Sequence, residues 1–162
     1  MRTYLDGESF PYRGAPLRLK ASPGGGRAAA EVSGDGLFLL VSASSAEERK
    51  KSILFFYTAR TEEFIRSTLP IWTKKLGVRP VCAGVKYAKT RWGSCSSAGK
   101  LFFNSRMSML SGDVAEYIVV HELCHLKQMN HSNAFWDNVR AALPGCMALR
   151  RRLRAEEKEA GL

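Results

Sequence analysis

The chain has 162 residues, 45% hydrophobic and 25% charged, which suits one soluble globular domain with a real core. No apolar run approaches the roughly 20 residues of a membrane span, and "MRTYLDGESFPYRG" lacks the apolar stretch of a signal peptide, so no membrane association and a cytoplasmic location are expected. The net charge of +10 is spread over both halves and is densest at Arg150–Arg154; it implies a solvated basic face, with weak association with nucleic acid or nucleotides as the sharper reading.

Residues 1–45 read as β-rich. The turn signals "DGES", "PYRGAP", "SPGGG" and "SGDG" separate the candidate strands "PLRLKA" and "GLFLLVSA". "SPGGGRAAAE" reads as a mobile loop. A helix follows. Ser45 with Glu48 fits a capping box, and Ile53, Phe56, Tyr57, Phe64 and Ile65 recur at helical spacing. Pro70 should kink or restart this helix, and Gly77 should stop it.

Next, two strands at about 82–92 and 100–106 are expected to form a hairpin around "SCSSAG". Ser111 is a plausible N-cap for a helix over about 112–129, and Asp113 suits its positive end. The middle of that helix is apolar nearly all round, so it should be central and buried. A last helix should start at Ser132 or Asn133 and break at Pro144–Gly145, before a basic C-terminal turn. The four cysteines, Cys82, Cys95, Cys124 and Cys146, include no C-x-x-C pair, so reduced and mostly buried thiols are expected.

All three histidines lie within "HELCHLKQMNH", His121 to His131. His121 and His125 are one helical turn apart on one face, and Glu122 stands beside them. This is the H-E-x-x-H arrangement, in which two imidazoles bind zinc and the carboxylate is a general base. A catalytic zinc keeps one position for water and lowers its pKa to about 7. It needs a third protein donor. His131 fits if the helix breaks between about Lys127 and His131, with Asn130 left-handed and Ser132 capping the next helix. Asp137, Glu156, Glu157 and Cys95 compete for that position, and His131 is favoured over them; Asp137 is expected to accept an imidazole N–H or to be exposed. An ionisable Glu122 in the most apolar helix weighs against a purely structural role, since an unpaired buried charge is costly. The histidine spacing equals that of metzincins, but Gln128 stands where their glycine should be and no clear Met-turn follows.

With "RWGSCSSAG", "LFFN", "YIVVHELCHL" and "NHSNAFW", the chain resembles the YgjP-like metallopeptidase family and is similar to the SprT- and WLM-type zincins, which include DNA–protein crosslink proteases. The resemblance is strong from about Lys89 to Trp136, weaker over the preceding helix and poor before residue 46. It implies zinc at His121, His125 and His131, with Glu122 as base. It draws attention to Arg91, which would steady an oxyanion or hold an anionic group of the substrate, or else sit in a buried ion pair. Trp92 and Tyr117 read as core, Ser94 and Cys95 as hydrogen-bonding or packing residues, and Asn104 as a hairpin or cleft residue. Phe135 and Trp136 should pack the last helix on the metal helix. Zincin-like folds lay an edge strand beside that helix for a peptide to extend, and the 82–106 hairpin is the candidate.

The fold class expected is therefore α+β, a single zincin-like domain over 1–162, with a small antiparallel sheet or hairpin packed on a central H-E-x-x-H helix. The activity expected is a zinc-dependent metallopeptidase acting on polypeptides, with Glu122 activating a zinc-bound water. Two alternatives use the same metal site: a nucleotide pyrophosphatase of the UTP type and a DNA-associated protease. The sequence leaves the oligomeric state open.

Overall fold

A computed structural model describes residues 2–24 and 29–160. Strands β1 (Ser9–Tyr12), β2 (Ala15–Ser22), β3 (Ala29–Val32) and β4 (Phe38–Ser42) form a sheet in the order β1-β2-β4-β3. The alternation of "PLRLKA" buries Leu17 and Leu19 and exposes Arg18 and Lys20; Leu39 and Val41 do the same for β4. The expected loop "SPGGGRAAAE" falls partly on 25–28, outside the described residues, and its last residues belong to β3.

The β1–β2 turn carries positive φ at both Arg13 (50°) and Gly14 (76°), as a tight hairpin requires. Its N–H groups donate to Ser108 O at 2.9 Å and Met109 O at 3.0 Å. A Cβ on Gly14 would come within 2.8 Å of Ser111 Cβ. The sheet is therefore tied to the segment leading into the histidine helix.

Helix α1 (Ala46–Leu76) starts as expected: Ser45 Oγ accepts from Glu48 N at 3.2 Å, and Glu48 reaches back to Ser44 N at 2.8 Å. Gly77 (φ 63°) ends it, with Gly77 N donating to Lys74 O and Val78 N to Thr73 O, a Schellman closure. The helix runs through Pro70 without restarting. Buried residues anchor it on both sides of the proline: Ile65 before it and Trp72 after it, whose Nε1 donates to Glu116 Oε1 at 2.7 Å.

The second sheet departs from the expected pairing. β5 (Cys82–Lys86), β6 (Gly93–Cys95) and β7 (Lys100–Asn104) are ordered β5-β7-β6, with β5 parallel and β6 antiparallel to β7. The hairpin is β6–β7 alone, and the sheet is mixed. Residues 87–92 leave the strand because Asn104 Nδ2 donates to Ala88 O and Arg91 O, each at 2.8 Å, folding that loop over the end of β7.

A 3-10 turn (Met107–Met109) leads to α2 (Gly112–Cys124), followed by α3 (Asn133–Ala142) and α4 (Cys146–Ala160). Helix α2 packs against α1, α3, α4 and β6, and Val119, Val120, Leu123 and Cys124 are completely buried. Pro144–Gly145 separates α3 from α4 as expected, but the basic run lies in a full helix rather than a turn. All four cysteines are free: Cys124 and Cys146 are buried, Cys95 is half-buried and Cys82 is exposed. No helix among the described residues is long and apolar enough to cross a membrane.

Candidate metal centre

Helix α2 ends at Cys124, earlier than its sequence suggests. Beyond it, Leu126 N donates to Leu123 O, and Lys127 N and Gln128 N both donate to Cys124 O, each at 3.0 Å. The first two are the tighter bonds of a 3-10 turn, and together the three satisfy the terminal carbonyls of Leu123 and Cys124. His125 keeps helical angles (φ −64°, ψ −21°), so its side chain stays one turn above His121. Asn130 is not left-handed; Tyr4 and Arg13 are the non-glycine residues of positive φ among those described. The chain turns instead through the tightened last turn, and Asn130 Oδ1 accepts from Gln128 Nε2 at 2.8 Å.

The elbow returns His131 to the helix. One nitrogen from each of His121, His125 and His131 lies within 4.8 Å of the others, and the Nε2 atoms of His121 and His131 are 3.2 Å apart. His125 Nδ1 stands 3.2 Å from Gln128 O, so it carries the proton and leaves Nε2 free. Phe135 of α3 fills the hub: it stacks on His125 (4.5 Å, 24°) and meets His121 and His131 edge-on, both at 4.9 Å. Trp136 stacks on His131. The last helix thus packs on the histidines through the two aromatics expected.

Burial pushes the His121 pKa down to about 3, helped by His125, His131 and Arg150; burial also lowers that of His125. Both imidazoles are therefore neutral at pH 7, as a metal donor must be. Donors 2.0–2.1 Å from a tetrahedral zinc stand about 3.3 Å apart, so the His121–His131 spacing fits zinc, as does an all-nitrogen set. His121 Nδ1 is buried with no protein partner.

Glu122 is 7% exposed, and burial raises its pKa to about 7, with Arg91 pulling it back down. It packs on Gly93 of β6, where a Cβ would lie 2.6 Å from Glu122 Cγ and 2.7 Å from Oε1. Glycine is needed there because the carboxylate occupies the space of a side chain.

Glu122 and His121 sit in a cleft of about 310 Å³. One wall is Arg91, Trp92 and Gly93; the other is the Arg150, Leu153, Arg154 and Glu157 face of α4; Tyr117 and Ile118 complete the floor. Arg91 is exposed and forms no ion pair among the described residues, which removes the buried-pair expectation. Asn104 positions it through the loop backbone. Trp92 and Tyr117 are buried as expected, yet both also line the cleft, and Trp92 Nε1 donates to Glu157 Oε1 at 3.0 Å. A larger cavity of about 750 Å³, lined by Arg2, Tyr57 and Arg106 among others, shares no residue with the cleft and none of the grouped donors.

The competing third donors are engaged elsewhere. Asp137 is exposed and pairs with Arg140 at 3.3 Å, so it accepts no imidazole N–H. Glu156 accepts from Ser111 N (2.8 Å) and Ser111 Oγ (2.7 Å), which is why Ser111 caps α2 by position but not with its own side chain. Cys95 lies on β6 outside the histidine group, with its thiol pKa raised by burial and by Glu122. Arg150 and Arg154 are the cleft residues that sequence reasoning missed. Their signal was the four-residue spacing within "RRRLR", which puts them on one side of a helix with Arg152 on another.

The family model described as "YgjP-like, metallopeptidase domain" matches residues 1–156, so the likeness extends through the N-terminal sheet and is not confined to residues after 46. Among solved structures, the metallopeptidase zymogen of Pyrococcus abyssi abylysin is 23% identical with a TM-score of 0.53, covering 58% of this chain and 95% of that one. The metallopeptidase zymogen of Methanocaldococcus jannaschii jannalysin is 20% identical with a TM-score of 0.51, covering 57% and 95%. At these identities the likeness is one of fold. No match is found among curated proteins.

Proposed function

The chain belongs to the YgjP-like metallopeptidase family, and on that premise we propose that it is a zinc-dependent peptidase whose metal is held by His121, His125 and His131 and whose general base is Glu122. The observation that carries this reading is the meeting of three imidazole donors, one of which, His121, lines a cleft together with the buried carboxylate of Glu122. Zinc bound there would supply a Lewis acid that polarises a carbonyl and acidifies water.

The chain's own residues do the rest. Glu122, raised by burial to about 7, is matched to taking a proton from the attacking water near neutral pH and giving it to the departing amine nitrogen. Gly93 leaves room for that carboxylate. Arg91, held over the cleft through Asn104, faces the negative charge that grows on the carbonyl oxygen. β6 is an edge strand that packs on α2, so an extended polypeptide can add to it beside Glu122. An all-imidazole donor set weighs against a phosphoanhydride hydrolase, which more often uses magnesium with carboxylates.

Glu122→Gln tests the assignment. Zinc content should stay while hydrolysis of casein and peptides is lost. Undiminished hydrolysis in that variant refutes Glu122 as base, and release of pyrophosphate from UTP without peptide cleavage refutes the peptidase reading.

A further inference from the structure

The charges of α4 are sorted by side. Arg152 faces the start of α2, where it pairs with Asp113, and it also pairs with Glu156 one turn along α4 at 3.5 Å. Arg150 and Arg154 face the cleft and have no ion pair among the described residues. Arg150 is half-buried, with its guanidinium 4.8 Å from the centre of the Trp136 ring, and that ring stacks on His131. The stacking fixes the cation beside the candidate metal donors. On the same wall, Glu157 carries the opposite charge but accepts the Trp92 indole N–H. Arg91 adds a third cation across the gap. Such an arrangement repels basic side chains and favours a carboxylate.

We propose that Arg150 and Arg154 form an acid-selective subsite in this cleft, so that the polypeptides cut here carry a glutamate or aspartate beside the scissile bond. The inference rests on the peptidase reading for its substrate. Its physical core is that a bound acidic side chain replaces water around two arginines that have no ion pair among the described residues. A planar guanidinium held by an aromatic ring can take a carboxylate through two parallel N–H bonds.

The test separates binding from cleavage. Three labelled peptides differing only in one Glu, Gln or Lys are bound to the metal-free full chain, and fluorescence anisotropy is read. The glutamate peptide should bind about tenfold more tightly than the glutamine peptide, with lysine weakest and the differences shrinking as salt rises. The exposed Arg154→Glu variant should abolish the preference, and Arg150→Glu with Arg154→Glu should invert it towards lysine, with melting temperature and zinc content checking the fold. The zinc-loaded wild type should rank the peptides in the same order by kcat/KM. Equal binding of the three peptides overturns the subsite, as does a glutamate preference that survives the double variant. Displacement of the glutamate peptide by UTP at lower concentration than by unlabelled peptide assigns the arginines to phosphate and also overturns it. Selective binding without cleavage keeps the subsite and refutes the peptidase reading.

Discussion

Replacing Gly93 by alanine should damage the reaction without touching a metal donor. The new Cβ would lie 2.6 Å from Glu122 Cγ, 2.7 Å from Oε1 and 2.9 Å from Cδ. Carbon atoms in contact stand about 3.5–4.0 Å apart, so something must move by about 1 Å. On one side is strand backbone paired with Phe103; on the other is a single side chain, which yields first. Overpacking of this kind costs about 1–3 kcal/mol, read as a fall of several degrees in melting temperature. A catalytic group displaced by about 1 Å loses on the order of 100-fold in rate. The assay is kcat/KM on a peptide, with zinc content measured on the same preparation. Zinc should be retained and kcat/KM should fall about 100-fold. An alanine variant with wild-type kcat/KM would show that Glu122 need not lie against β6, and the account of the base would fail.

Three further outcomes follow from the titrating groups and from the seat of α2. Because His121 stays neutral down to about pH 3 and His125 is also lowered, protons compete weakly for these two donors, so zinc should survive dialysis at pH 5.5, below the usual imidazole pKa of about 6.5; loss of metal at that pH contradicts this. The base form of Glu122 disappears as pH falls through its pKa, and Arg91 lowers that pKa, so Arg91→Gln should shift the acid limb of the kcat/KM profile to higher pH; no shift, or the opposite one, removes Arg91 from the electrostatics of the base. Glu156→Ala takes both hydrogen bonds from Ser111 at the far end of α2 and should cost about 1–2 kcal/mol in denaturant unfolding while zinc content holds, whereas a loss of zinc would make Glu156 a ligand after all.

The local signals were legible in the sequence. The capping box at Ser45, the stop at Gly77, the break at Pro144–Gly145 and the four-residue spacing of His121 and His125 each depend on neighbouring residues, and each appears where the pattern puts it. What sequence could not supply was set by distant partners or by local bonds that no residue type announces. The parallel pairing of β5 with β7 depends on Asn104 pulling in a loop thirteen to sixteen residues away. The early end of α2 depends on bonds back to Leu123 and Cys124 and on the tether from His125 to Gln128, with no glycine or proline to announce it. The cleft-facing arginines could not be told from solvated ones until α4 was placed beside α2.

Ser111 has a consequence for the order in which the molecule matures. The first residue of the segment that launches α2 is held from both directions of the sequence: Gly14 lies so near its Cβ that no side chain would fit between them, and Glu156 and Arg152 bind its amide and hydroxyl. A nascent chain that has emerged only as far as His131 already contains every candidate donor and the proposed base, but not the helix that packs beside them. Contacts of such long sequence separation form late in folding. Proteolytic competence should therefore arrive only once α4 has emerged and packed beside α2, which spares neighbouring nascent chains from a half-built hydrolase.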